Sequence, residues 1–203
     1  MQRCLGLAES HVRMTKALAF LVPDAVELTL TEAVLDHFSA NRQNSPDAKE
    51  AGGQLFAQIE GSHWIIVRAT GPRRSDWRSR FGFRPDRRAE RAEIQDLFAL
   101  GLHYVGDWHT HPEAHPIPSP SDLVSMDDLV TRSTHELPGF LMIIVGTDPG
   151  HFGLWVSLHT GAKRYFKGRY TQRPDKLDAN VTGGPRDSEP LGHSSSGPSE
   201  RPQ

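Results

Sequence analysis

Phe140-Leu141-Met142-Ile143-Ile144-Val145 is an unbroken run of six apolar residues. Successive side chains of a strand point to opposite faces, so a strand with this sequence has no face for water. It belongs in the middle of a sheet covered on both sides. The rest of the chain has to supply its neighbours and the covering layers. Residues 17–22 and 26–30 read as short strands around a Pro-Asp turn, and 54–59 and 63–69 as a hairpin joined by Glu60-Gly61-Ser62. A further strand begins at Tyr104, residues 152–158 alternate like a half-buried strand, and 163–166 form a last edge strand. Thr31 caps a helix through Arg42 with Ala33, Val34, His37 and Phe38 on one face. Residues 88–101 fit a helix with Ile94, Leu97 and Phe98 inward and Gly101 ending it. Residues 120–132 fit another, with Leu123, Met126, Leu129 and Val130 on one side. The fold class that follows is α/β: a mixed β-sheet flanked by helices, in a single domain.

Only 36% of the 203 residues are apolar, which implies that part of the chain stays outside the core. Thr171 to Gln203 holds four apolar residues, no aromatics and fourteen Pro, Gly or Ser. Such a segment buries too little to offset its ordering entropy, so 171–203 is expected to be a disordered tail. Residues 1–16 are poorly patterned, and 17–170 remain as the folded domain. The lone cysteine, Cys4, excludes an internal disulfide and a cysteine-rich zinc finger. No stretch reaches the roughly 18 apolar residues of a membrane span. Ala17 to Val22 is too short for a signal-peptide core and is broken by Pro23-Asp24 without a small-residue cleavage site. A cytoplasmic protein without membrane contact is expected.

The formal net charge of −2 argues against a surface built throughout for nucleic acid. It conceals a basic insert. Residues 71–91 hold eight arginines (73, 74, 78, 80, 84, 87, 88 and 91) with Trp77, Phe81 and Phe83 among them. One reading is a site for an acidic partner or a nucleic-acid backbone. The other is a solvated loop leading into a helix, its aromatics packed on the core and several arginines near Asp76, Asp86 and Glu90.

His109, His111 and His115 fall within seven residues. His109 and His111 stand at i and i+2, which on an extended chain puts both imidazoles on one face, within reach of one ion. Ser119 follows, then Asp122. Two histidines and a carboxylate suit zinc and leave a fourth tetrahedral position for water. Pro112, Pro116, Pro118 and Pro120 stiffen the connection. Ser119-Pro120-Ser121-Asp122 is also a helix start, with Ser at the N-cap, Pro at N1 and an acid at N3. The two readings are compatible, because a helix start can hold Asp122 rigidly toward the histidines.

The spacing His-x-His-x₇-Ser-x₂-Asp, in the setting Gly106-Asp107-Trp108-His109-Thr110-His111-Pro112, resembles the JAMM motif of the MPN-type zinc isopeptidases. That family also carries an upstream glutamate, often before a glycine pair and an apolar strand, and Glu50-Ala51-Gly52-Gly53-Gln54-Leu55-Phe56 is similar. The resemblance covers about residues 17–168 and departs at Ala57, where many relatives place glycine. It implies an MPN/JAMM-like (cytidine-deaminase-like) fold and one zinc ion per chain on His109, His111 and Asp122. It implies Glu50 as general base and Ser119 as a hydrogen-bond donor to the developing oxyanion. Glu60 and Asp47 are rival bases, but neither has the glycine pair that would let a substrate strand approach the backbone. Glu113 and His115 read as loop residues. Trp108, between Asp107 and His109, should point away from the ligands and pack under the site.

The resemblance is strongest to bacterial JAMM proteins encoded beside activating and conjugating enzymes in antiphage operons. It implies a protein substrate with a C-terminal tail, either ubiquitin-like or a conjugated nucleotidyltransferase, and those operon enzymes as further partners. Other readings stay open: a zinc amidase acting on a small molecule or a sulfur-carrier precursor, a non-enzymatic scaffold, and a nucleic-acid module using the arginine-rich insert. Nucleic acid is not the expected partner.

Overall fold

The computed structural model describes residues 17–22 and 26–171. In chain order these form β1 (Leu18–Val22), β2 (Val26–Leu30), α1 (Glu32–Asn41), β3 (Gly52–Glu60), β4 (His63–Ala69), β5 (Trp77–Ser79) and β6 (Gly82–Arg84). Then come α2 (Arg87–Phe98), β7 (His103–Thr110), α3 (Pro120–Arg132), β8 (Phe140–Val145), β9 (Leu154–Gly161), β10 (Arg164–Lys167) and β11 (Arg169–Thr171). The N-terminal segment and nearly all of the tail expected from the sequence lie outside the described residues. Thr171, expected to open the tail, is the last residue of β11.

Nine strands make one mixed sheet in the order β10-β9-β8-β7-β3-β4-β2-β1-β11, and β5 and β6 pair as a separate ribbon. β7 with β8 and β2 with β4 run parallel; the other neighbours are antiparallel. The strands at the two ends of the order, β10 and β11, are separated in sequence only by Gly168. The sheet therefore has to curl until its ends approach. Gly168 N–H donates to the Val156 carbonyl of β9 at 2.9 Å, while Tyr170 of β11 packs edge-on to Phe20 of β1.

All six residues of β8 are buried, as the unbroken apolar run requires. Leu141, Ile143 and Val145 join the main core with Val34 and Phe38 of α1 and with Trp108. Phe140, Met142 and Ile144 pack with Met126 of α3, flanked by Leu123, Leu129 and Val130. Each such side chain contributes about 1.5–3 kcal/mol of burial.

One irregularity decides which way β7 presents its side chains. Leu55 pairs with Gly106 and Phe56 with Tyr104, so Val105 is left over as a bulge. Gly106 has φ 142°, and a Cβ there would stand 2.0 Å from the Leu141 carbonyl oxygen. Only glycine fits. Beyond the bulge Trp108 and Thr110 turn into the main core, and Asp107 and His109 face the side covered by α3.

Several expectations are corrected. Ala33 is exposed, while Val34 and Phe38 carry the buried face of α1. Phe98 is 64% exposed rather than inward. It is the last residue of α2, where the chain turns off the sheet toward Gly101, and it meets the His103 ring edge-on. The arginine-rich insert contains the β5–β6 ribbon, and Trp77 and Phe81 stand in solvent instead of packing on the core. Three-residue strands joined by a two-residue turn were too short to leave a periodic signal. Many of its arginines are engaged locally: Arg73 pairs with Asp76, Glu90 and Glu93, Arg87 with Glu90, and Arg78 and Arg80 donate to backbone carbonyls.

Candidate metal centre

His109 is the penultimate residue of β7, and His111 continues the strand by donating its N–H to the Val145 carbonyl at 2.9 Å. The i, i+2 spacing puts their rings 4.9 Å apart between centroids. Asp122 comes from the first turn of α3. Ser119 is the N-cap and Pro120 is N1, and a reciprocal capping box closes the turn. Asp122 N–H donates to Ser119 Oγ at 3.2 Å, and Ser119 N–H and its hydroxyl donate to Asp122 Oδ2, both at 2.7 Å. The helix start thus fixes the carboxylate that faces the histidines.

Asp122 Oδ1 lies 3.5 Å from His109 Nε2, and Oδ2 lies 3.5 Å from His111 Nε2. One donor atom from each of the three residues falls within 4.8 Å of the others. His109 Nε2 is buried without a hydrogen-bond partner. A buried imidazole nitrogen left unpaired is costly, and a cation supplies what it lacks. Two imidazoles and one carboxylate are a zinc-type donor set with an open fourth position, so the residues present fit the ion.

The electrostatics follow from this packing. Burial pushes the Asp122 carboxyl up, but the facing His109 and His111 imidazoles and the Ser119 hydroxyl outweigh it and hold the group well below the usual carboxylate range. His111 is held above its ordinary value. Burial lowers it, and the hydrogen bond and charge of Asp122 more than offset that. Glu50 is shifted upward by burial, with His109 and His111 opposing and Asp122 adding to the rise.

Glu50 precedes β3 and is gripped from two sides. Its N–H donates to the Ser79 carbonyl and its carbonyl accepts from Arg78 Nε, both at 2.7 Å, tying it to the β5–β6 ribbon. Next to it, Ala51 N–H donates to Thr110 Oγ1 at 2.9 Å, and Thr110 N–H donates back to the Ala51 carbonyl at 2.8 Å. Thr110 Oγ1 donates onward to Gln43 Oε1 at 3.0 Å, and Gln43 Nε2 donates to the Arg80 carbonyl at 2.8 Å. Sequence reasoning assigned no role to Gln43 or Thr110. Thr110 was legible as the residue between the histidines that must face the core; Gln43 carries no local signal.

Glu50, Phe83, Asp122 and Ser125 line two adjoining hollows that form a groove under the ribbon. One hollow, about 360 Å³, continues past His111, Glu113 and Ser119. The other, about 120 Å³, runs over Trp108 and His109 toward Asp107 and Glu90. The glycine pair does not leave room for a substrate strand, as the sequence reading had supposed. A Cβ on Gly53 would lie 1.9 Å from the Thr70 carbonyl oxygen, and one on Gly52 would lie 2.7 Å from the Phe83 ring. The protein's own chain occupies that space. Glu60 and Asp47 are exposed and line neither hollow. His115 points to the Phe152 carbonyl and Asp148 rather than to the donors. Trp108, 1% exposed, packs against Phe38 and His37 on the opposite side, as its position in the strand requires.

Among the described residues no helix is long and apolar enough to cross a membrane. The family described as prokaryotic homologs of the JAB domain matches residues 31–157. A CD-NTase/cGAS isopeptidase of Escherichia coli (strain TW11681) is 28% identical over 138 residues, covering 64% of this chain and 80% of that protein. A CD-NTase/cGAS isopeptidase of Pseudomonas aeruginosa (strain BWHPSA011 / Pa011) is 30% identical over 144 residues, covering 66% and 84%. The solution structure of protein DSY2949 from Desulfitobacterium hafniense shares the fold, with a TM-score of 0.51 and 21% identity over 69% of this chain and 88% of that one. The matched span contains the Glu50 segment, the His109–Asp122 cluster and all the strands from β3 to β8, and on that ground the chain belongs to the prokaryotic JAB-domain family.

Proposed function

We propose that this chain is a zinc-dependent isopeptidase of the cytoplasm that releases a protein joined through its C-terminal tail to an amine. The names of its relatives support a CD-NTase-type nucleotidyltransferase as that protein; its processing or deconjugation would serve a bacterial antiviral pathway. The activating and conjugating enzymes of such a pathway are its functional partners. The observation that carries the reading is the meeting of His109, His111 and Asp122 at one point of a groove whose wall includes Glu50.

His109, His111 and Asp122 would hold the ion. Zinc bound there supplies a Lewis acid and brings the pKa of a coordinated water to about 7. Glu50 removes the proton from the attacking water and delivers it to the leaving amine. Its half-buried position and raised proton affinity suit a group that must take up a proton near neutral pH and give it back. The Ser119 hydroxyl, which donates to Asp122 Oδ2, lines the same hollow and would turn from that carboxylate to donate to an oxyanion in the groove. The groove between Phe83 of the ribbon and Ser125 of α3 is open at the surface and takes an extended tail. No nucleophilic side chain is required, and an acyl-enzyme is not expected.

The test is cleavage of a nucleotidyltransferase fused or conjugated through its C-terminus, followed by gel and mass spectrometry, with zinc measured on the same preparations. Wild type should carry about one zinc per chain and cut at the tail. Glu50→Gln should keep its zinc and lose about 10²–10⁴-fold in rate. Activity surviving that change would move the base elsewhere. Cleavage of small amides without cleavage of the protein fusion would favour the amidase reading.

A further inference from the structure

His111 is placed between two carboxylates. Its Nε2 lies 3.5 Å from Asp122 Oδ2, on the side where the three donors converge, and its Nδ1 lies 3.5 Å from Glu113 Oε2. His109 differs. Its Nε2 faces Asp122 Oδ1, and among the described residues no second carboxylate comes within 4.0 Å of its ring.

Glu113 is held by its backbone. It follows Pro112, which restricts the approach to it, and its carbonyl accepts from Thr147 N–H at 2.9 Å. The loop after β8 presses so closely that a Cβ on Gly146 would stand 2.6 Å from the Glu113 carbonyl oxygen. The side chain itself is 57% exposed and packs into no core, so the fold does not need it.

We propose that Glu113 is a positioning residue for the metal centre: its carboxylate accepts the Nδ1–H of His111, holding the ring in the tautomer and orientation that turn the Nε2 lone pair toward the ion. A neutral imidazole has one protonated and one free nitrogen, so a fixed acceptor on one side determines which nitrogen can ligate. Partners of this kind orient ligating histidines and raise their basicity. By sequence alone Glu113 is a loop residue, because its spacing matches no motif position.

This rests on the zinc reading of the site, and one experiment separates the two. Wild type, Glu113→Ala and Glu113→Gln are each titrated with zinc against a chromophoric chelator, and the cobalt-substituted proteins are compared by visible absorption. Cleavage is measured at saturating zinc. Glu113→Ala should weaken zinc binding by about 10–100-fold and shift the cobalt bands. Glu113→Gln keeps an oxygen acceptor and should stay within a few-fold of wild type. Equal zinc affinity in wild type and Glu113→Ala would overturn the proposal, and if KM alone rose it would make Glu113 a substrate contact in the groove. Equal loss in both variants would also overturn it, since the acceptor survives in one of them. Wild type that binds no zinc would remove the centre itself and this proposal with it.

Discussion

The two sides of β7 are one residue apart in sequence and opposite in physical character. On one side Trp108 is 1% exposed, donates its indole N–H to the Thr70 carbonyl at 2.9 Å and lies against Phe38 and His37. Thr110, fully buried, uses its hydroxyl both as acceptor and as donor. The Trp108 indole and the Thr110 hydroxyl are both satisfied there, and the side holds the fold. On the other side Asp107, His109 and His111 face a groove, with a buried carboxyl at Glu90 and an unpaired imidazole nitrogen at His109. Burial raises the Asp107 carboxyl and lifts that of Glu90 to about 7. Alternation along one strand thus separates what stabilises the molecule from the candidate metal centre, and substitutions on the two sides should fail in different ways.

The largest effect belongs to the donors. His109→Ala or Asp122→Ala should remove zinc and reduce cleavage by about a thousandfold or more, while the metal-free proteins remain folded. Full zinc occupancy in both variants would break the assignment of the reactive side. Trp108→Ala tests the opposite side: it should cost about 3–5 kcal/mol in urea unfolding. Asp122→Ala, compared in metal-free protein, should cost about 1 kcal/mol through its capping box. A Trp108→Ala protein that unfolds at the wild-type urea midpoint would erase the distinction.

Acid–base titration sharpens the contrast further. Glu90 has a folded value of about 7 against an ordinary 4.5, from burial and then the Asp107 charge, with Arg87 and Arg73 opposing. The folded state then binds more protons between these values, so this group lowers stability as pH rises through the window and its cost is complete above pH 7. His159, buried on β9, is depressed by burial from 6.5 to about 4. There the unfolded state binds more protons, so stability rises with pH between 4 and 6.5 and is lost as pH falls. Each amounts to roughly 3 kcal/mol across its window, with opposite sign. These two contributions should therefore nearly cancel between pH 4.5 and 6.5, and Glu90→Gln should add a rising slope relative to wild type in unfolding midpoints. A Glu90→Gln profile that runs parallel to wild type over that range would break this pairing.

An equally small stability change is expected at Ser119, which carries a cap and a proposed catalytic hydroxyl. Ser119→Ala should cost about 1 kcal/mol in unfolding for the cap. A fall in kcat of about 10²–10³ at unchanged zinc content would add the oxyanion role, and an unchanged kcat would leave Ser119 a cap only.

The extent to which the chain was legible varied with how local the cause was. β8 and α3 were readable in full because each is specified by its own residues: six apolar side chains in one case, and an N-cap, Pro at N1 and an amphipathic stripe in the other. The His109-x-His111 pair and Asp122 were readable for the same reason, as strand periodicity and a helix start need no distant partner. Phe98 was misjudged because a helical stripe says which residues share a face and not how far along the helix the neighbouring layer extends. Gln43 was missed because its value lies in two hydrogen bonds, one to Thr110 and one to Arg80, from residues far away in sequence.

By itself, the sequence determined the type of the longer elements, the candidate donor residues and the face on which they would stand, since alternation, capping and apolar runs act within a few residues. Only the tertiary structure decided that the sheet curls through Gly168 and that the ribbon roofs Glu50. It also showed that the glycine pair admits Thr70 and Phe83 rather than a substrate, and that Glu113 stands behind His111. These depend on which distant segments come into contact, and backbone close approach, orphaned polar groups and hydrogen bonds across tens of residues are properties of the packed chain.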